Sequence, residues 1–443
     1  MSKKNMFSSP SGGSYLLPFI MLTSLFALWG FANDITNPMV AAFKNILLIS
    51  NFESSLVQFA FYGGYCIMAI PTALYIRKYN YKRGIVTGLF LYFISCFLFF
   101  PAAKMMSFYA FLAAYFVMTC GLAFLETTCN PYILSLGPEE SATQRLNFAQ
   151  SFNPIGSLTG MLVAKEFILA RLSKATEDER IFLQDTDPAG FSSIQQSDLN
   201  TISIPYVALG LVVLAFFILF AVSKLPRIVS ADAGKYTVGQ TFRNLLKNKR
   251  YVFAVLTQFF YVGVQIMVWT FIIQYAESEL GMAKSTAQGY NMVAMGMFVS
   301  GRFICSFLLR YFKPSLLLLT LACASCVLTL GTIFLHDISG LYCLVAISIC
   351  MSLMYPTIYG IALKGMGEEA KLASAGLVLA IGGGAIFPPL QGWLIDVAHF
   401  GWISSVRFSF FLPLLCFVVI MAFGWWNSGR RRKSYRAAAT TPV

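Results

Sequence analysis

The sequence predicts an all-α membrane protein with twelve transmembrane helices. Of its 443 residues, 57% are hydrophobic and only 12% are charged, whereas soluble domains carry about 25% charged residues. The chain also divides into twelve apolar runs, and most of them reach the roughly 20 residues that a helix needs to cross the hydrocarbon core. The runs lie near 16–43, 55–76, 84–101, 107–136, 145–171, 201–223, 251–277, 286–309, 314–335, 340–363, 371–395 and 401–428.

The basic residues are concentrated in the links between these apolar runs. A formal charge of +13 could indicate a nucleic-acid partner, but that interpretation needs basic residues clustered on a soluble domain. Most of the 32 Lys and Arg residues instead fall in links that are cytoplasmic when the N-terminus is inside. The positive-inside rule then predicts that both termini are cytoplasmic, with the basic links facing anionic lipid. No small-residue cleavage site follows the first run, so we expect it to remain uncleaved.

Matched turns indicate an internal repeat. SLGPEES (135–141) follows span 4 and KGMGEEA (364–370) follows span 10, while paired basic residues follow spans 2 and 8. Charge accumulation at helix exits explains the basic pairs but not the matched Gly and Glu turns. Such repeats are typical of transporters with a site near the midplane, between the halves. The predicted domains are an N-terminal six-helix bundle, a cytoplasmic linker, a C-terminal six-helix bundle and a basic tail, at 1–223, 224–250, 251–428 and 429–443.

Glu126 is an acid in the middle of an apolar run, within TCGLAFLETTCNPYILSLGPEE (119–140). Burying a carboxylate in a bilayer costs several kcal/mol, so intramembrane acids usually face a polar cavity or change protonation state as part of function. The alternative is a tolerated or loop-exposed acid. We predict that Glu126 has a functional role.

Span 1 carries three strongly polar residues in WGFANDITNP (29–38). Asp34 and Asn37 are three positions apart on one helix face, Asn33 is four positions from Asn37, and Pro38 removes a backbone hydrogen bond. The pattern predicts a broken helix that lines a cavity. A helix end entering an external loop is the alternative, although the apolar MVAAF after Pro38 favours continued membrane depth.

Amides recur every three residues on span 5, at Asn147, Gln150 and Asn153. Amides donate and accept hydrogen bonds, and aromatic rings stack on the apolar face of a sugar, so this stripe beside Phe148 and Phe152 favours a sugar site. Interhelical hydrogen bonding is the alternative.

The second half contributes a similar set of polar and aromatic residues. Gln258, Gln265 and Trp269 can share a face of span 7, and Tyr355 precedes Pro356 in span 10. In span 11, IGGGAIFPP (381–389) favours close packing and a bendable helix.

Cysteine and histidine give no sign of a metal centre. All ten Cys lie in apolar runs, so the CxxC spacing of Cys323 and Cys326 is interpreted as packing. The two histidines, His336 and His399, fall at predicted external helix ends. We therefore expect no metal and no cofactor. The sequence shows no nucleophile–base constellation, so we also expect no enzymatic activity.

Six blocks of the sequence resemble the fucose:proton symporter family of the major facilitator superfamily. They are LWGFAN (28–33), NFESSLVQFAFYGGYCIMAIP (51–71), FLETTCNPYILSLGPEESATQRLNFAQSFNPIGS (124–157), QFFYVGVQ (258–265), MSLMYPTIYGIALKGMG (351–367) and IGGG (381–384). The resemblance runs along nearly the whole chain. It implies a major facilitator fold of two six-helix bundles, alternating access, and proton-driven import of a monosaccharide such as L-fucose, galactose, glucose or an N-acetylated amino sugar. It also implies a bacterial inner membrane, and we expect a monomer.

The resemblance assigns roles to particular positions. Glu126 matches the carboxylate implicated in proton coupling, and Asn37 stands where the family's span 1 acid is usually found. Asp34 stands one turn away, at a position where fucose permeases carry an amide, so it is predicted to act as a displaced carboxylate. The predicted sugar-binding residues are Trp29, Asn33, Asn37, Gln150, Asn153, Gln258, Gln265, Trp269 and Tyr355.

Other functions fit part of the pattern. Facilitated diffusion or sodium coupling would use the same fold, whereas a non-transporting sugar receptor would need the binding site but no titratable acid. A drug/proton antiporter is disfavoured because the candidate residues are amides rather than apolar groups.

Overall fold

The computed structural model describes residues 6–7, 14–36, 38–49, 51–226, 237–397 and 403–439. Most of them lie in α-helices. The helices of the first half are α1 Leu16–Thr36, α2 Met39–Leu47, α3 Asn51–Lys78, α4 Tyr81–Lys104, α5 Phe108–Ser135, α6 Ala142–Gln150, α7 Asn153–Val163, α8 Glu177–Thr186 and α9 Pro188–Val222. Those of the second half are α10 Val238–Lys247, α11 Lys249–Leu280, α12 Lys284–Leu308, α13 Pro314–Phe334, α14 Ile338–Met351, α15 Met354–Leu363, α16 Ala370–Leu379, α17 Gly383–Val397, α18 Ser405–Ser409 and α19 Phe411–Ala439.

Eleven helical stretches within the described ranges are long and apolar enough to cross a membrane. They account for every predicted span except 145–171. That span is present as two short helices, α6 and α7, separated by a turn at Ser151 and Phe152 and followed by the π-helical segment Ala164–Ile168. Span 5 is thus a broken helix, not the continuous one predicted.

Three further spans are interrupted. Span 1 breaks before Pro38, between α1 and α2, as the proline predicts. Span 10 breaks at Ser352 and Leu353, between α14 and α15. Span 11 passes through a short 3-10 turn, Ala380–Gly382, between α16 and α17. Helix breaks at membrane depth expose backbone groups that need other partners.

The two matched turns have the same local structure. Each contains glycine in the left-handed region, with φ of +118° at Gly137 and of +72° and +51° at Gly365 and Gly367. A 3-10 turn that includes the paired glutamates follows in each, and then a short helix, α6 or α16. Glycine is required at these positions because side chains with a Cβ atom rarely adopt positive φ.

The described residues form two compact units. The first unit takes in those of Ser14–Ile133 and Phe152–Ala231. The second unit takes in those of Met1–Gly13, Leu134–Ser151 and Asp232–Val443. The units differ from the two sequence halves because the end of α5 and all of α6 belong to the second unit.

In the first unit, α1 packs on α7 and α4 packs on α9. The rings of Phe99 and Tyr206 stack with their centroids 3.9 Å apart, and the Tyr206 hydroxyl lies 3.0 Å from that of Tyr115. The predicted external stretch 172–200 is largely helical, because α8 lies within it and α9 begins there. Arg180 of α8 forms a buried ion pair with Asp198 of α9, with 2.5 Å between Nη2 and Oδ2.

In the second unit, α13 packs on α14 and α19, and α11 packs on α17 and α19. The short helix α6 packs on α15 and α12. Burial is most continuous along α15, where all but one residue is buried. The predicted linker contains the amphipathic helix α10, which begins with a capping box at Thr237 and Gln240.

Candidate functional site

Glu126 lies near the middle of α5 and is 6% exposed. Close glycine contacts hold this helix against its neighbours. A Cβ atom at Gly64 of α3 would lie 2.8 Å from Cβ of Thr119, and one at Gly84 of α4 would lie 2.7 Å from Oγ1 of Thr128. The carboxyl group therefore lies on a buried, closely packed helix.

Asp34 and Asn33 lie in the last turn of α1, directly before the break in span 1. Both are half-buried, and the Asn33 side-chain oxygen is buried with no hydrogen-bond partner among the described residues. Trp29, one turn earlier, is buried and packs on Phe26 at a centroid distance of 4.2 Å. Asn37 lies outside the described residues, as does His399.

Two tyrosines of α3 lie within electrostatic range of the carboxyl groups of the first unit. Tyr62 lies within electrostatic range of Asp34, and Tyr65 lies within range of Glu126 and of Tyr62. The tyrosines are three positions apart, so they share a face of α3. These tyrosines were not identified in the sequence analysis, although both are visible in FYGGYC (61–66) as polar hydroxyl groups within an apolar span.

Gln150 and Asn153 lie on opposite sides of the break in span 5. Gln150 ends α6 and is 3% exposed, whereas Asn153 begins α7 and donates from Nδ2 to the Phe26 carbonyl over 3.2 Å. The predicted stripe of three amides along one helix is therefore wrong, because the backbone turns between them. Asn147 of α6 donates to the Thr357 hydroxyl over 3.2 Å. This is the interhelical hydrogen bond given above as the alternative to a role in sugar binding.

Arg302 of α12 joins two of the helix breaks in the second unit. Its Nη1 donates to the Gln150 carbonyl over 2.6 Å and its Nε donates to the Ser352 carbonyl over 2.9 Å. Its guanidinium also lies over the Phe298 ring, 4.8 Å from the centroid. Carbonyls at helix C-terminal ends lack partners and carry partial negative charge, so a cation stabilises both ends. Arg302 is recognisable in the sequence as a charged residue within an apolar span, but it was assigned no role in the sequence analysis.

Gln258 of α11 is fully buried, and neither polar atom of its amide has a hydrogen-bond partner in the described part of the chain. Three residues on, Tyr261 donates to the Met351 carbonyl over 3.0 Å at the break in span 10. The Tyr261 ring lies 6.1 Å from that of Tyr355, a predicted site residue that is 9% exposed. A buried amide without partners costs free energy, which is the usual sign of a place reserved for a ligand or water.

Gln265 and Trp269 lie further along α11 and are half-buried. The Trp269 indole donates to the Ser348 hydroxyl over 3.4 Å and contacts Phe298 edge to face, with centroids 4.9 Å apart. Phe298 thus lies between Trp269 and Arg302. Among the described residues, no group of three or more His, Cys, Asp or Glu side chains is arranged to hold a metal ion.

These features define a membrane transporter, with many apolar helices, interrupted spans and polar side chains at the interruptions. The model of the Major Facilitator Superfamily matches residues 20–385. The chain belongs to this superfamily and, within it, to the fucose:proton symporter family. It is an integral, multi-pass membrane protein with the twelve-helix fold of that family, as predicted.

Particular relatives show how close the likeness is. The chain is 50% identical over 413 residues to the L-fucose-proton symporter of Haemophilus influenzae, covering 93% of this chain and 96% of that one. It is 29% identical to the glucose/galactose transporter of Brucella abortus, over 93% and 94% of the two chains. A crystal structure of the Escherichia coli fucose:proton symporter, FucP, superposes with a TM-score of 0.85 at 34% identity, covering 94% of this chain and 99% of that one.

Proposed function

We propose that this protein imports L-fucose together with protons by alternating access. The observation that carries the proposal is the buried carboxyl group of Glu126 at the centre of α5. The names of the relatives with 50% and 35% identity support the same substrate and coupling ion. Transport makes and breaks no covalent bond in the sugar, so we assign no enzymatic reaction.

Glu126 couples the proton to the transport cycle. When its surroundings are open to the outside, it takes up a proton, which removes the cost of enclosing a charge in a low-dielectric environment. The loaded carrier then changes conformation, and Glu126 releases the proton inside. Proton and sugar both favour the state that crosses, so the coupling is thermodynamic and needs no contact between them.

Sugar hydroxyls bind the amides of Asn33, Gln150, Asn153, Gln258 and Gln265, while the apolar ring face packs on Trp29, Trp269 and Tyr355. Gln258 is well suited because its buried amide has both a donor and an acceptor available. Asn37 completes the sugar-binding set on sequence grounds alone.

Asp34 is the second proton-coupling residue of the proposal. Tyr62 interacts electrostatically with Asp34, and Tyr65, which is 3% exposed, interacts with Glu126 and Tyr62.

The proposal includes the orientation and assembly predicted from the sequence. Both termini are cytoplasmic, the membrane is a bacterial inner membrane, and the carrier works as a monomer with bundle domains 1–223 and 251–428. Basic residues of the cytoplasmic links support this orientation.

The test is the pH change outside lightly buffered proteoliposomes when L-fucose, galactose, glucose or N-acetylglucosamine is added. We expect L-fucose to alkalinise the medium with the wild type, and Glu126→Gln to abolish this signal and uphill uptake. Glu139→Gln, in an exposed link, is the matched control and should behave as the wild type. Sugar entry without proton movement, or uphill uptake by Glu126→Gln, would overturn the assignment.

A second candidate substrate has its own support. The Brucella abortus relative is named a glucose/galactose transporter. Alkalinisation by galactose or glucose but not by L-fucose would favour that specificity, with the coupling role of Glu126 unchanged.

A further inference from the structure

Four polar side chains meet at one end of the second unit, and we call them the Arg407 cluster: Glu279, His336, Ser404 and Arg407. Arg407 Nε lies 2.8 Å from Glu279 Oε2, and both side chains are about nine-tenths buried. Ser404 caps the first turn of α18 and also donates to Glu279. The cluster joins the end of α11, the link between α13 and α14, and the start of α18.

His336 lies on the α13–α14 link and contacts Arg407 of this cluster. Arg407 Nη1 lies nearer to Nδ1 than to Nε2 of the imidazole, at 2.5 Å against 3.3 Å. A guanidinium nitrogen can only donate, so the imidazole must accept through a nitrogen that carries no proton. Protonated histidine has no such nitrogen and bears a positive charge that repels Arg407.

Several other ionisable groups lie on the helices next to this cluster. Glu279 and Tyr275 come from α11, Asp337 caps α14, and Cys343 lies on α14. Asp396, near the end of α17, is exposed. Histidine is the side chain most often used as a pH-dependent switch in proteins. The chain has two histidines, and the other, His399, precedes α18 in sequence.

We propose that His336 makes the Arg407 cluster acid-sensitive. At neutral pH the imidazole ties the α13–α14 link to α18, and its protonation releases the link while Glu279 still holds Arg407. On the proposed topology, which is part of the proposed function, the cluster faces outside. External acid, which drives symport, would then also loosen this end of the second unit.

Hydrogen–deuterium exchange of the full-length, detergent-solubilised protein without sugar tests this proposal independently of transport. The reporters are the backbone amides of Leu335 and Phe408, which are bonded to the carbonyls of Gly331 and Ser404. After correction for the intrinsic rate, protection around Leu335 should fall about fivefold between pH 7.5 and pH 5.5, the factor expected for one hydrogen bond.

Variants separate His336 from its neighbours. His336→Gln should keep protection constant across this pH range, and His336→Lys should give the low-pH value throughout. His399→Gln and Asp337→Asn are controls that should retain the wild-type response. A pH response that survives in His336→Gln, or that disappears in either control, would overturn the proposal. Neither result would bear on sugar transport.

Discussion

At Arg302, one guanidinium occupies the point where spans 5 and 10 are both interrupted. Its two carbonyl acceptors, on Gln150 and Ser352, are groups that the helix breaks deprive of helical partners. A planar side chain with several donors in fixed directions suits this position, because it can serve two acceptors at once. The buried charge thus stabilises the backbone next to the proposed sugar-binding residues.

Substitution of Arg302 should reveal this double role. Arg302→Met leaves two buried carbonyls without their donor, and each such loss costs about 1–3 kcal/mol. Arg302→Lys retains the charge but not the fork, so it should fall between the methionine variant and the wild type in thermal unfolding. Lys165→Met, at an exposed side chain, is the control and should not change the melting temperature. If Arg302→Met and the wild type had the same melting temperature, the bridging role would be refuted.

The packing of neighbouring helices depends on how closely their backbones can approach. In the first unit, α7 carries Gly156 and Gly160 one turn apart, and both lie against α1. A Cβ atom at Gly156 would lie 1.9 Å from the Ala27 carbonyl oxygen, and one at Gly160 would lie 2.5 Å from that of Phe31. Small residues four apart allow such contact between membrane helices. This contact positions Asn153 beside α1.

We expect Gly156→Ala to separate α1 from α7. The added methyl group meets backbone, which cannot rotate away, so the loss of stability should reach about 1–3 kcal/mol. Gly296→Ala on α12 is the matched control, because a Cβ atom there meets nothing within 4 Å. Thermal unfolding of the two variants in the same detergent gives the comparison. A Gly156→Ala variant as stable as Gly296→Ala would show that the close contact is not required.

On the scale of the whole molecule, the compact units do not follow the sequence halves. Residues 134–151 pack with the second unit through contacts of their own. Asn147 donates to the Thr357 hydroxyl, and Gln144 donates to the Ser306 carbonyl over 3.4 Å. A Cβ atom at Gly360 would lie 2.7 Å from the Thr143 hydroxyl oxygen, so α6 and α15 are in close contact.

A double-mutant cycle measures the strength of this association. Asn147→Ala and Thr357→Ala should each destabilise the protein, and the double variant should lose less than the sum. The coupling expected for an interhelical side-chain hydrogen bond in a membrane protein is about 0.6 kcal/mol and below about 2 kcal/mol. Equilibrium unfolding of the four proteins supplies the values. Strict additivity would mean that the two side chains do not interact.

The sequence by itself determined the membrane class, the helical fold, the break at Pro38 and the buried acid at Glu126. Each of these follows from local composition, because a bilayer demands long apolar helices and penalises an isolated charge. The matched glycine turns were also visible, since positive φ restricts the choice of residue.

Only the tertiary structure decided the bridging by Arg302 and the donors that stabilise the breaks in spans 5 and 10. The sequence carries a local sign of both breaks, because Pro154 and Pro356 have no N–H to offer the carbonyls of Gln150 and Ser352, four residues earlier. These breaks are stabilised by donors that are far away in sequence, such as Arg302 and Tyr261. A helix end is stable in lipid only where a neighbouring helix supplies the missing hydrogen bonds, and that supply depends on packing.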